Sequence, residues 1–335
     1  MRARELGIEI GEGSPGPLNA ITDVAGIRVG HTTLLEADDV RTGVTIVVPP
    51  EGPQFAGSHR LNGNGELTGL AWVRESGFLT TPVALTNTHS VGVVRDALCA
   101  AAKGKSDWSL PVVGETWDGL LNDIDGFHVK AEHVFEALES ASQGPVPEGN
   151  VGGGTGMICH GFKGGIGTAS RTVGGYTLGV LVQANHGRRS RLQVNGVAVG
   201  RELGPNRVPL PRRPALSGSI IVIVATDAPL LPHQCDRLAQ RAALGVARTG
   251  GAGENSSGDF AIAFATGNRN LAGGQATVTV EMLANERIDG LFYAVIEATE
   301  EAIVNALLGA ETMSGNGAIV HRLDPQLLAE VMAAG

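Results

Sequence analysis

The segment Thr249-Gly-Gly-Ala-Gly-Glu-Asn-Ser-Ser-Gly-Asp259 holds the residue types for one specific chemistry. It runs directly into Phe260 to Thr266 (FAIAFAT), an apolar stretch that reads as a strand. A serine at the edge of a strand, behind a mobile Gly-rich loop, can attack the carbonyl before it. Glycines around it permit the strained backbone such an attack needs. The N-terminal serine so created would carry its own base, an α-amine whose pKa of about 7.7–8 suits proton abstraction near neutrality. The same residues also suit a plain helix-to-strand linker, because Gly/Asn/Ser clusters are commonly loops. On this segment alone both readings stay open.

Other motifs point to less. Gly152-Gly-Gly-Thr-Gly156 lacks the Lys-Ser/Thr ending of a phosphate loop and reads as a tight turn. None of the nine histidines fits HExxH, and His128 and His133 are five apart, off one helical face. Cys99, Cys159 and Cys235 are isolated, with spacing that suits neither zinc nor a disulfide framework. Neither a metal nor a cofactor is expected. There is no GxSxG elbow, and Arg188-Arg189-Ser190-Arg191 reads as a solvated loop. A net charge of −9 argues against a nucleic-acid partner. The longest apolar run, Ile220 to Ala225, is too short to span a bilayer, and no secretory signal opens the chain, so a cytoplasmic protein is expected.

The elements that must position this chemistry are a mixture. Glycine contributes 49 of 335 residues, about double the usual share, which implies tight turns and close backbone approaches. Strands are expected at Gly43 to Val48, Pro82 to Thr86, Thr177 to Gln183, Ile220 to Thr226, Phe260 to Thr266 and Thr277 to Met282. One helix is expected after Asp227 as N-cap, with Leu231, Cys235, Leu238 and Ala242 on one face and Gly250 at its end. A second spans about Asp289 to Leu308, and a third starts at Asp324-Pro325. Residues 91–103 and 131–142 are also expected to be helical. Consecutive strands from Phe260 to Met282 favour a layered α+β fold over a doubly wound sheet. With no charged or Pro/Ser-rich linker, residues 1–335 read as one domain.

Seven segments, in order, give a resemblance. They are Ile21 to His31, Leu85 to His89, Gly154 to Arg171, Gly179 to Gly187, Ala225 to Leu230, Ser257-Gly-Asp259 and Glu297 to Ala302. Together they make the chain similar to the DmpA/BapA family of N-terminal-nucleophile aminopeptidases, the L-aminopeptidase/D-esterases and β-aminopeptidases. The resemblance implies a four-layer αββα sandwich, shared with ornithine acetyltransferase-type proteins. It implies a precursor that cuts itself before Ser257, giving chains 1–256 and 257–335, with Ser257 the nucleophile of the smaller chain. It places a helix acid, Glu297, near the serine, with Glu300 next in line. Oxyanion donors would come from Asn185 or from the Thr226/Asp227 turn.

Three positions depart from the family pattern: His160 stands for a tyrosine, Val295 for a hydroxyl-bearing or acidic residue, and Asp227 for an asparagine. The site expected is therefore Ser257, Glu297, Asn185 and His160. Its substrates would be short peptides, amides or esters that lose an N-terminal residue, and the family suggests a homo-oligomer, a tetramer. The alternatives are an acyltransferase of the ornithine acetyltransferase type, for which a threonine nucleophile is expected, and a binding protein that has lost processing. A cut at Asn255–Ser256 is the runner-up.

Overall fold

Short β-branched runs separated by glycine turns build two sheets that lie face to face. A computed structural model describes residues 1–104, 107–211, 218–272 and 274–334. In chain order the strands are β1 (Arg28–Glu36), β2 (Val40–Val48), β3 (Gln54–Gly63), β4 (Phe78–Leu79), β5 (Val83–Asn87), β6 (Val112–Thr116), β7 (Ile158–Cys159), β8 (Phe162–Lys163), β9 (Gly165–Val173), β10 (Tyr176–Asn185), β11 (Ser219–Thr226), β12 (Gly258–Ala265), β13 (Met313–Gly315) and β14 (Ala318–Val320). The helices are α1 (Leu70–Ser76), α2 (Val91–Ala101), α3 (Ala131–Glu139), α4 (Val199–Glu202), α5 (Pro232–Arg248), α6 (Asp289–Leu308) and α7 (Pro325–Ala334).

The smaller sheet has the order β1-β2-β5-β6 and the larger β4-β3-β12-β11-β10-β9. Pairing is antiparallel except for β5 with β6 and β11 with β12. Each parallel pair is joined by a crossover helix, α2 and α5 respectively, as parallel geometry requires.

Side-chain alternation explains the layering. In β11, Ile221, Ile223 and Ala225 face the smaller sheet, where they meet Val47, Leu85 and Val112. Ile220, Val222 and Val224 face the other way, onto Leu238, Ala242, Val295 and Ile303 of α5 and α6. The outer face of the smaller sheet, with Ile46, Ala84 and Val113, is covered by Val94, Leu98 and Val134 of α2 and α3. The result is α/β/β/α. Each isoleucine fully buried in β11 contributes about 1.5–3 kcal/mol. Gly167 lets α6 approach β9: a Cβ there would lie 1.9 Å from the Ala302 carbonyl oxygen.

Three expectations need correction. Thr277 to Met282 alternates like a strand but has no ladder partner among the described residues, and Val278, Val280 and Met282 are exposed. Asp227 does not cap α5, which starts at Pro232; its Oδ1 instead accepts from Thr177 N at 2.7 Å and so closes β10 against β11. The Arg188–Arg191 cluster is not fully solvated. Arg189 is buried, its guanidinium over the Phe162 ring at 3.3 Å and its N–H groups on the carbonyls of His160, Gly161, Leu203 and Val208.

Candidate active site

The Gly-rich segment connects the end of α5 to the start of β12, and it is held rather than mobile. Gln193 N donates to the Thr249 carbonyl at 3.1 Å and Gly251 N to the Val246 carbonyl at 3.0 Å. Arg188 Nε pairs with Glu254 Oε1 at 2.7 Å. Asn62, at the end of β3, donates to the carbonyls of Gly253 and Glu254. Between Asp259 and Phe260 the pairing of β12 with β3 slips by one residue. Such a bulge bends the strand end and re-aims its side chains, here Asn62 and the following Asn64.

The peptide between Ser256 and Ser257 is surrounded by groups that suit its cleavage. Ser257 is buried, and its hydroxyl donates to Asp259 Oδ1 at 2.6 Å. Residues two apart in a strand share a face, so Ser-Gly-Asp brings this pair together by itself. Asn64 Nδ2 donates to the Ser256 carbonyl oxygen at 2.9 Å. Asn64 N holds the Ser257 carbonyl at 3.2 Å, and Ser257 N donates to the Glu254 carbonyl at 2.7 Å. Base, hydroxyl and a donor on the carbonyl thus converge. Burial raises the Asp259 carboxyl above its ordinary range, and the Ser257 hydrogen bond partly opposes this. Gly258 is obligatory, because a Cβ would lie 2.5 Å from the Asn64 carbonyl oxygen.

A second carboxylate comes from the other sheet. Glu115, in β6, is buried, accepts from Thr88 Oγ1 and from Glu66 N at 3.0 Å, and lies at Gly65, which in turn abuts Gly258. Burial pushes its carboxyl up. A cavity of about 850 Å³ opens beside the Ser256 peptide, lined in part by Glu254, Ser256, Gly218, Asn185, His186 and Ile158.

Of the residues expected from sequence, only Ser257 sits at this centre. Asn185 pairs with Ser219, which pairs with Gly258, so it lies two strands away in the same row. It lines the cavity, but its amide is engaged: Oδ1 accepts from Ile158 N at 2.7 Å and Nδ2 donates to the Trp117 carbonyl at 3.0 Å. His160 is buried against His186, with Nδ1 3.1 Å from the Arg188 carbonyl oxygen; burial lowers its pKa to about 4.

Glu297 is not brought to the serine. It receives Glu12 N at 3.0 Å, Gly13 N at 2.9 Å and Arg171 Nε at 3.2 Å. Arg171 belongs to the row Leu178, Thr226, Ala265, seven residues along β12 from Gly258, roughly 23 Å at the rise of a strand. Glu300 is likewise engaged elsewhere, by Arg248 and by Asn195 N at 2.8 Å. Sequence reasoning missed Glu115 and Asn64 and gave Asp259 no role. A lone acid in the apolar run Val112–Thr116 was the available signal for the first.

Such a sandwich, with a serine at the mouth of a central strand, defines an N-terminal-nucleophile hydrolase fold of the aminopeptidase type. Residues 19–320 match Peptidase family S58. The chain is 49% identical to the beta-peptidyl aminopeptidase BapA of Sphingosinicella microcystinivorans over 354 residues, covering 96% of this chain and 89% of that protein. Its structure superposes on a Burkholderia sp. beta-aminopeptidase with TM-score 0.94, 54% identity and 100% and 99% coverage of the two chains. The L-aminopeptidase D-Ala-esterase/amidase of Ochrobactrum anthropi, described as a prototype serine aminopeptidase and a variant Ntn hydrolase fold, gives TM-score 0.90, 43% identity and coverage of 99% and 98%. The chain belongs to peptidase family S58, and it is a hydrolase of the aminopeptidase kind.

Proposed function

We propose that this aminopeptidase is a one-domain precursor, residues 1–335, that matures by cutting its own 256–257 peptide and then uses Ser257 as an N-terminal nucleophile. The observation that carries the reading is the convergence of Asp259 on the Ser257 hydroxyl and Asn64 on the Ser256 carbonyl. Asp259 takes the hydroxyl proton as Oγ attacks the Ser256 carbonyl carbon. Asn64 stabilises the oxyanion that forms. The C–N bond breaks, the nitrogen gains the proton, and Ser256 is left as an ester on Ser257 Oγ. Water hydrolyses that ester, which frees the Ser256 carboxylate and the Ser257 α-amine.

In the mature enzyme the α-amine replaces Asp259 as the base for Oγ. The cavity beside Ser256 then receives the scissile bond of a short peptide, amide or ester. Glu115, a buried carboxylate beside Gly258, is positioned to hold the free ammonium that marks an N-terminal residue. The relatives named beta-aminopeptidases support N-terminal β-amino acids as substrates, with L-α-amino acids as the second class.

Hydrolysis of matched β-alanyl and L-alanyl p-nitroanilides tests this: a higher kcat/KM for the β-alanyl compound is expected. Glu115→Gln should lower kcat/KM on either by about 10–100-fold, mostly through KM, because a charge-assisted contact is lost. A Glu115→Gln enzyme with unchanged KM would leave the ammonium without its partner.

The protein also reads as a homo-oligomer, up to a tetramer. Exposed Val278, Val280 and Met282, with Leu244 and Tyr293 on α5 and α6, supply apolar surface for copies of the chain. Light scattering measures that state. Three free thiols suit a reducing cytoplasm. Among the described residues no helix is long and apolar enough to cross a membrane.

A further inference from the structure

The hairpin β7–β8 turns through His160 and Gly161, both left-handed with φ of 50° and 72°. That turn brings a pair of adjacent residues against the end of β10. His160 N donates to the His186 carbonyl at 2.7 Å, and the two imidazole rings meet edge to face at 5.1 Å. Cys159 Sγ lies 3.8 Å from His186 Nδ1. One donor atom from each of Cys159, His160 and His186 lies within 4.8 Å of the other two, and all three residues are buried.

Two further observations mark this cluster as more than packing. Among the described residues the Nε2 atom of His160 is buried without a hydrogen-bond partner. An orphaned buried polar atom costs about 1–3 kcal/mol, so this one calls for an explanation. His160 Nδ1 faces the Arg188 carbonyl oxygen at 3.1 Å. A carbonyl there fixes the proton on Nδ1 and leaves the Nε2 lone pair free, the arrangement found in metal-ligating histidines.

We propose that Cys159, His160 and His186 form a zinc site whose fourth position is filled by water from the adjoining cavity. One thiolate and two imidazoles are a borderline-soft donor set that favours Zn²⁺ over hard cations. The separation of 3.8 Å between sulfur and nitrogen is close to the edge of a tetrahedron with Zn–S about 2.3 Å and Zn–N about 2.0 Å, roughly 3.5 Å. Gly161 and His186 line the cavity, which gives the ion an entry path. Binding replaces the thiol proton, which leaves to solvent. The resulting thiolate offsets one of the two positive charges that the ion brings beside Lys163 and Arg189, whose charges already act on Cys159 and His160. The site lies two strands from Ser257, with β11 between β10 and β12, and opens onto the same cavity.

Co²⁺ titration of the chelator-treated, purified full protein tests the proposal. One equivalent should produce a near-ultraviolet thiolate-to-cobalt charge-transfer band with tetrahedral visible bands, and Zn²⁺ should bleach both. Cys159→Ser should abolish the charge-transfer band, and Cys99→Ser should leave it intact. Because Cys159 is buried and its variant can fail to fold, His160→Asn provides a second arm: asparagine tolerates the left-handed turn, and this variant should lose the tetrahedral signature. Absence of a thiolate band in the folded wild type at saturating Co²⁺, or a band unchanged in either variant, would overturn the site.

Discussion

The two ends of the six-stranded sheet hold carboxylates in opposite company. At one end Glu297 and Glu301 both meet the buried guanidinium of Arg171, at 3.2 and 2.7 Å, and Glu301 also meets Arg4. Backbone N–H groups of Glu12 and Gly13 complete the coordination of Glu297. This is a lock that fastens the N-terminal segment to α6. At the other end Asp259 and, from the facing four-stranded sheet, Glu115 are bound by hydroxyls and backbone N–H groups, and burial raises both carboxyls. An acid whose charge is neutralised by arginines is spent on structure. One that is desolvated beside a serine can exchange protons.

The comparison breaks most sharply at the proposed nucleophile. Ser257→Ala should remain one uncut chain and lose turnover by about 10⁶-fold, the scale for removing a serine nucleophile. Intact-mass analysis and a p-nitroanilide assay measure the two effects.

Asp259→Asn should slow maturation by about 10²–10⁴-fold, as loss of a general base does. Its pH dependence carries a definite sign. The carboxylate form is the base and burial raises its pKa, so the cutting rate should fall as pH drops through that raised value and level off above it. The same profile measured in Asp259→Asn should be flat. An unaltered profile would move the base elsewhere.

Asn64→Ala should slow the cut by about 10²–10³-fold, the cost of one oxyanion donor. Time courses by denaturing electrophoresis resolve this. Asn185→Ala serves as the contrast: its amide holds Trp117 and Ile158, so the cut should proceed while stability falls by about 1–3 kcal/mol.

The smallest effect is expected at the far end. Glu297→Gln keeps the hydrogen bonds to Glu12 and Gly13 but weakens the pair with Arg171. It should cost about 1 kcal/mol in denaturant unfolding and change kcat by less than about 10-fold. A large loss of kcat with unchanged stability would contradict the division between the two ends.

Which parts of this were legible in the sequence follows from how local each part is. Ser257 and its glycines stand within one eleven-residue segment, and local turn chemistry is readable there. The strands at 220–226 and 260–265 were readable because uninterrupted apolar runs mark strands buried on both faces. Thr277 to Met282 misled for the converse reason: alternation is a property of a segment, but a ladder needs a partner. Glu297 was readable as part of a helix, yet no helix pattern tells which end of a sheet it crosses. Asn64 reaches the Ser256 carbonyl across 192 positions of chain, through the pairing of β3 with β12. The cluster of Cys159, His160 and His186 likewise arises only because a two-residue turn meets a strand end.

The most direct measurement is N-terminal sequencing, with intact mass, of the small fragment of wild-type protein purified and incubated without added protease. A 79-residue chain that begins Ser-Gly-Asp, beside a 256-residue partner, is the result predicted for attack by Ser257. A fragment that begins Ser-Ser-Gly would assign the nucleophile to Ser256. A fully active protein that remains a single chain of 335 residues would contradict the N-terminal-nucleophile account itself.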